Sequence, residues 1–494
     1  MRLRLLAFLA LAAPAATLLP PREALACGGC FAPPTETTVV NAHRMVLSVS
    51  PVQSVLWDQI QYAGDPREFA WVLPVKRGAT LQVGSDAWFE TLDAATSVRI
   101  TAPSSMCASS GGGCGALASS DSASFGGDAF GGEQVTVLHR GTVGPYETVT
   151  LATDTPGALN KWLDTNGFGV DASTQPVIDA YVEENFDFIA LRLQPGKDVK
   201  EMTPVRVVMP GANATLPLRM VAAGTGANVA ITLFTISEAR LAPEGFAVAA
   251  VPHDLLAWDF ASQESNYGVL REKALSAADG GRAFLTSYAQ QGSLFSPVSS
   301  SAAPFGVQYT TSGTTAPVDT IAAAFAQQGL ANGETQETAC AVRFAQLAAE
   351  GRAVGNPCPA GVLLSDPSCG EVASGQIDAR ELACGPLDDL AVAMIGLHPR
   401  DVWLTRLEAN LPRAALDTDL VLNPGPQERV DNWLRARVSV HAEVLCGAAL
   451  PVLDGDRASR SRGQGALVGM ALGALALAAA VVRRGARRFA SRPV

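Results

Sequence analysis

Nine cysteines and five histidines are the residues of this 494-residue chain whose types lend themselves to chemistry. Cys27 and Cys30 flank two glycines as C-x-x-C, the spacing of a redox dithiol or of half a metal site. Seven more follow: Cys107, Cys114, Cys340, Cys358, Cys369, Cys384 and Cys446. In a redox enzyme a strand precedes C-x-x-C and a helix start lowers the thiol pKa. No strand precedes Cys27, so structural disulfides are the simpler use of these cysteines. An odd count leaves one cysteine free, paired between chains or, for Cys27, acylated. Cys107 and Cys114 stand in a Ser/Gly stretch, spaced to close a small loop on each other.

The histidines, His43, His139, His253, His398 and His441, are isolated from one another. His253 with Asp254, and His398 with Asp401, are the pairs that acid–base or metal chemistry would use. Asp417-Thr418-Asp419 offers oxygens to calcium but lacks the other ligands of a loop site, and reads as a solvated turn. Asn213-Ala214-Thr215 matches a glycosylation acceptor by pattern only. There is no G-x-S-x-G elbow, no H-E-x-x-H and no S-x-x-K. The glycine-rich stretches at 111–113 and 126–132 lack the Lys-Ser/Thr of a phosphate loop. The sequence therefore points to no catalytic residue, no cofactor and no metal ligand. Trp57, Trp71, Trp88, Trp162, Trp258 and Trp403 sit in apolar runs, where core packing is the ordinary use of an indole. A glycan-binding face would need them exposed on one side.

Both ends say where such residues would work. Arg2 and Arg4, an apolar run from Leu5 to Leu19 and then Ala24-Leu25-Ala26 have the three-part form of a signal peptide cleaved after Ala26. Acylation of Cys27 is the competing reading, against which Ala24 stands where a lipoprotein prefers leucine. Residues 463–482 carry no charge and match the length of a bilayer core. Arg483, Arg484, Arg487, Arg488 and Arg492 follow at once, which orients the tail inward and the bulk of the chain outward. Gly465, Gly469 and Gly473 repeat at the spacing of a helix-packing face, although glycine and alanine also simply fill a weakly apolar helix.

The chain carries a net charge of −11, and the two ends are themselves basic, so the intervening part is more acidic still. Phosphate backbones would be repelled, which excludes nucleic acid as a partner. All nine cysteines lie in that outer part, where oxidants act.

Alternation of apolar residues predicts strands near 45–49, 54–57, 69–75, 98–101, 135–139, 148–151, 188–193, 205–209, 216–221 and 229–236. Helices are expected at 156–164 and 175–184, then at 254–260, 268–278, 282–289 and 387–395. Strands follow near 402–408, 420–422 and 436–445. Residues 104–132 and 291–338, rich in Ser, Gly, Ala and Thr, read as loops. The fold class is α+β: a largely antiparallel β-sheet unit with inserted helices, a more helical cysteine-bearing C-terminal part and one C-terminal transmembrane helix. The organisation is a signal peptide (1–26), an α+β domain (27–252), a mixed region of the same unit (253–453), a polar stalk (454–462), the membrane helix (463–482) and a basic cytoplasmic tail (483–494).

Several stretches resemble one bacterial family. Cys27-Gly28-Gly29 after the cleavage site is similar to its opening. Gly64-Asp65-Pro66-Arg67-Glu68-Phe69-Ala70-Trp71-Val72-Leu73-Pro74-Val75 resembles its G-D-P-x-x-F-A-x-V-x-P-V core. Gly144-Pro145-Tyr146, then Leu159-Asn160-Lys161-Trp162-Leu163, then Phe188-Ile189-Ala190-Leu191-Arg192 keep its order, and Thr405-Arg406-Leu407 and Asp419-Leu420 resemble its C-terminal part. The family is that of domain of unknown function 2330. The resemblance implies export and one folded unit and supplies no activity. The expected role is a membrane-anchored envelope protein that binds or scaffolds, with an envelope protein or a glycan as partner. The alternatives are an extracytoplasmic hydrolase or a thiol-redox protein.

Overall fold

The chain turns back on itself first at Ser50-Pro51-Val52. Ser50 Oγ accepts from the Gln53 backbone N–H at 3.1 Å, while Pro51 fixes its own φ, so the turn closes tightly. The hairpin so formed joins β2 (Val39–Val49) to β3 (Gln53–Ala63) with Val49 opposite Ser54. Because side chains alternate along a strand, this register sends Met45, Leu47 and Leu56 to one face and Val46, Val55 and Trp57 to the other.

The hairpin sits inside an eight-stranded sheet of a computed structural model that describes residues 30–31 and 39–438, apart from 64–69, 104–136, 153–156, 166–169, 171–173, 198–200, 223–224, 261, 297–307, 312–313, 318–319 and 349. The strands of the two main sheets, in chain order, are β1 (Cys30–Phe31), β2, β3, β4 (Ala70–Val75), β5 (Thr80–Val83), β6 (Val137–Val143), β7 (Tyr146–Leu151), β8 (Asp187–Leu193), β9 (Val205–Pro210), β10 (Thr225–Ser237), β11 (Ala247–Ala249), β12 (Ala283–Gln291) and β13 (Trp403–Pro412). The larger sheet runs β11-β12-β13-β10-β2-β3-β9-β5 and the smaller β1-β4-β8-β7-β6. Only β10 with β2 and β11 with β12 pair in parallel; the other neighbours are antiparallel.

The sheets face each other across an apolar layer that includes Met45, Leu47, Trp71, Leu73, Ile189, Leu191, Val207 and Leu233. Helices cover the two outer faces. On the larger sheet lie α1 (Asp86–Thr96), α6 (Ile321–Ala331), α7 (Cys340–Ala348) and α8 (Asp389–Met394), packed on Val46, Val55, Trp57, Phe234 and Leu404. On the smaller lie α2 (Ala158–Thr165) and α3 (Gln175–Glu183), packed on Ala70, Val72, Val149 and Phe188. α1 starts where Ser85 caps it, its Oγ accepting from Trp88 N–H at 3.2 Å. Trp88 then lies 6.1 Å from Trp57 and 5.1 Å edge-on to Phe325. Each such buried ring removes about 150–250 Å² from water.

The α+β class holds, and so do the helices expected at 156–164, 175–184, 268–278 (α5, Tyr267–Ala277) and 387–395, within a residue or two. Four expectations are overturned. Residues 282–289 form strand β12, not a helix; both faces of this inner strand are buried, so it shows no alternation. Residues 254–260 form a short turn, His253–Leu255, and a strand, Ala257–Asp259. Residues 216–221 are not one strand: Pro217 ends Thr215–Leu216 and opens α4 (Leu218–Ala222), since proline suits a helix start. The loop expected at 291–338 contains α6, capped by Thr320.

The segments expected as signal peptide, stalk, membrane helix and tail, together with Cys27, Cys107, Cys114, His441 and Cys446, lie outside the described residues. So do Gly64 to Phe69 of the family-like motif. Among the described residues no helix is long and apolar enough to cross a membrane.

Candidate binding site

Arg206, on β9, is 2% exposed, and a buried guanidinium demands partners. Its Nη1 lies 2.7 Å from Asp388 Oδ1 and 3.0 Å from Asp389 Oδ1, and its Nε donates to Gln82 Oε1 at 2.9 Å. Asp389, also 2% exposed, accepts further bonds from Trp57 Nε1 at 2.7 Å and from Ser85 N–H at 3.0 Å. Burial pushes the Asp389 carboxyl up, against Arg206 and these hydrogen bonds. Burial also works against the Arg206 charge, but the two carboxylates outweigh it and its pKa lies above the usual value. One carboxylate at the start of α8 thus ties together β3, β9 and the entry to α1. Gly84 belongs to this close approach: a Cβ there would stand 2.8 Å from the Trp57 ring and 3.3 Å from Asp389. At the far end of α8, Gln53 Nε2 donates to the Val392 carbonyl at 2.9 Å.

With α8 held at both ends, a cleft of about 210 Å³ opens beside it. Its floor is β5 and β9, with Thr80, Gln82 and Val208; Gln53 and Val392 close one side. The opposite wall is loop 356–364, with Asn356, Gly361, Val362 and Leu364. Two features shape that loop. The Cys358–Cys369 disulfide closes it, and Gly370 N–H donates to the Pro357 carbonyl at 2.7 Å. Gly361 has φ +77°, and a Cβ there would lie 2.9 Å from Thr80 Cγ2, so only glycine lets the loop descend onto the sheet. Thr80 Oγ1, buried at this wall, has no hydrogen-bond partner among the described residues. Among the described residues the cleft is lined by apolar groups, amides and this hydroxyl, with no acidic, basic, histidine or cysteine side chain. Such walls select and hold a molecule but offer no proton donor or nucleophile from a titratable group.

The residues singled out in the sequence lie elsewhere. His253 and Asp254 are both exposed on their turn. His398 Nδ1 meets Glu238 at 2.7 Å, while the Asp401 carboxylate lies 3.6 Å from Arg400, so the His398–Asp401 pair does not form. Asp417 pairs with Arg282 at 2.7 Å, and Asp419 is taken by Arg219 at 2.7 Å and Tyr181 at 2.6 Å. Among the described residues no three His, Cys, Asp or Glu side chains are placed to hold a metal ion. Cys340 bonds to Cys384 and Cys358 to Cys369; the backbone of Cys30 pairs with Trp71 at the edge of the smaller sheet. Trp57, Trp71, Trp88 and Trp403 are core residues, whereas Trp162 and Trp258 are half-buried.

One pair escaped the sequence reading. His43 and Asp58, 1% and 4% exposed, meet between the sheets with Nδ1 3.2 Å from Oδ1. Their signal was the hairpin register: Met45 opposite Asp58 places His43 diagonally across.

A second carboxylate site responds to pH. Burial, then the nearby Glu334 and Glu90, push the Asp86 carboxyl from 3.8 up to about 6, and Arg44 and the Gln59 amide oppose this only in part. The folded state therefore prefers the protonated acid. This contribution to stability is complete below about pH 4 and is lost as pH rises to about 6. Asp86 is partly exposed, so solvent screening reduces its worth to about 1 kcal/mol. Asp86→Asn is expected to raise stability by that amount at pH 7 and to leave it nearly unchanged at pH 3.5. Urea unfolding at the two pH values measures this, and an equal effect at both would refute it.

No curated protein and no solved structure matches the chain. A family does match, over residues 21–300, which takes in β1 to β12 and the cleft floor but stops short of loop 356–364, α8, β13 and the C-terminal motifs at 405–407 and 419–420. The chain belongs to that family, described as uncharacterized protein conserved in bacteria (DUF2330).

Proposed function

We propose that the protein is a membrane-anchored, extracytoplasmic envelope protein that binds a ligand in the cleft beside α8 and does not transform it. The observation that carries the binding reading is the lining of that cleft, which lacks titratable side chains. Two disulfides within residues 340–384 suit an oxidising compartment. The anchoring reading rests on the signal-peptide pattern of residues 1–26 and on the uncharged run 463–482 with its five following arginines.

Two measurements test it. After expression in a bacterial host, the protein should stay with membranes through an alkaline carbonate wash, and deletion of 463–494 should release it. Wild-type protein released by the wash would sink the anchoring reading. Native mass spectrometry of protein drawn from its own membrane should show a bound small molecule. Ala360→Trp, which sets an indole at the exposed cleft wall, should lose it. The same bound species in both proteins would place binding elsewhere.

A further inference from the structure

We infer that the cleft is built for an uncharged, amide-bearing ligand with an apolar body; this rests on the cleft being a binding site, as proposed above. Three side-chain amides face it, and the bonds each makes inside the protein fix which end remains for a ligand. Gln82 Oε1 is taken by Arg206 Nε at 2.9 Å, which leaves its NH2 as donor. Asn356 Oδ1 is taken by Cys358 N–H at 3.0 Å, which leaves another NH2 donor. Gln53 Nε2 is spent on the Val392 carbonyl, which leaves Oε1 as acceptor. The three amides therefore offer two donors and one acceptor above an apolar surface that includes Val208, Val362, Val392 and Ile395. Carbonyl oxygens and an N–H on an aliphatic frame are the complement of that pattern.

Charge finds no partner there. The guanidinium behind Gln82, Arg206, is committed to Asp388, Asp389 and Gln82. Two carboxylates against one cation give an anion no attraction, and their bonding to Arg206, Trp57 and Ser85 spends them as partners for a ligand cation. A charged ligand would lose its hydration without compensation.

The test uses three probes that share a leucyl body: N-acetyl-leucinamide, which is neutral, N-acetyl-leucine, an anion, and leucinamide, a cation at pH 6. Each is titrated by ligand-observed NMR into the full-length protein in detergent, and into Ala360→Trp and Asn356→Asp. The neutral probe should bind about tenfold more tightly than either ion and should lose its signal in Ala360→Trp. Asn356→Asp keeps the acceptor for Cys358 N–H and should shift preference about tenfold toward the cation. An ion that binds as well as the neutral probe, with a signal lost in Ala360→Trp, overturns the ligand class and leaves the cleft a binding site. No probe signal sensitive to Ala360→Trp overturns both readings.

Discussion

Arg206→Met is expected to destabilise the fold by about 3–5 kcal/mol, the cost of breaking a buried ion pair from one side. Methionine matches the arginine stem in volume, so packing is largely kept and the loss is electrostatic. Asp389, 2% exposed, would keep its hydrogen bonds from Trp57 and Ser85 but lose its cation, with Asp388 beside it. Gln82 would lose its donor as well. Because protonation relieves two unpaired carboxylates, the variant should regain part of the loss on acidification, opposite to the usual acid weakening. Adding Asp388→Asn and Asp389→Asn to the variant should restore much of the stability at pH 7, as replacing a whole buried ion cluster is far milder than halving it. Urea midpoints at pH 7 and pH 5 measure all of this. A loss below 1 kcal/mol for Arg206→Met would mean that the cluster does not hold α8 to the sheet.

The Cys340→Ala/Cys384→Ala pair is expected to cost about 4 kcal/mol, from the chain entropy returned to an unfolded loop of 44 residues. Both sulfurs lie in residues with no exposed surface, against Phe344, Leu387 and Leu390, and alanine fills much of the same space. The region it pins includes loop 356–364, so the double variant should also weaken probe binding in the cleft. Thermal unfolding with and without a dithiol gives the check. In the wild type the dithiol should lower the midpoint at least to that of the untreated variant, since it also opens Cys358–Cys369, and a variant as stable as the oxidised wild type would refute the assignment.

Local patterns were legible wherever one face of an element meets the core and the other does not. The hairpin strands near 45–49 and 54–57, and α3 behind its Pro176, could be read for that reason. Burial on both faces erased the signal at β12, where Ala283, Phe284 and Leu285 are all core. α6 was hidden by its alanines and glutamines, although Thr320 before Ile321 is a helix-start signal. α1 carried a comparable sign in Ser85 before Asp86. The cleft was not legible at all. Gln82, Asn356 and Val392 are brought together by strand order and by a disulfide pairing that spacing alone does not fix. Arg206 and Asp389 lie 183 residues apart, beyond the reach of any local pattern.

The insertion of β13 between β12 and β10 sets a timetable for the chain. As residues appear in order, β10 is complete at Ser237 and β12 at Gln291, yet the strand that joins them ends at Pro412. Until then the edge of β10 that β13 will take is unpaired, and such an edge recruits other strands. Closure of the larger sheet therefore belongs to the end of synthesis, and its distant pairings make folding slow. For a chain delivered across a membrane, the placement proposed above, that slowness would have a use: the chain would stay open during transit and its sheet would close on the far side.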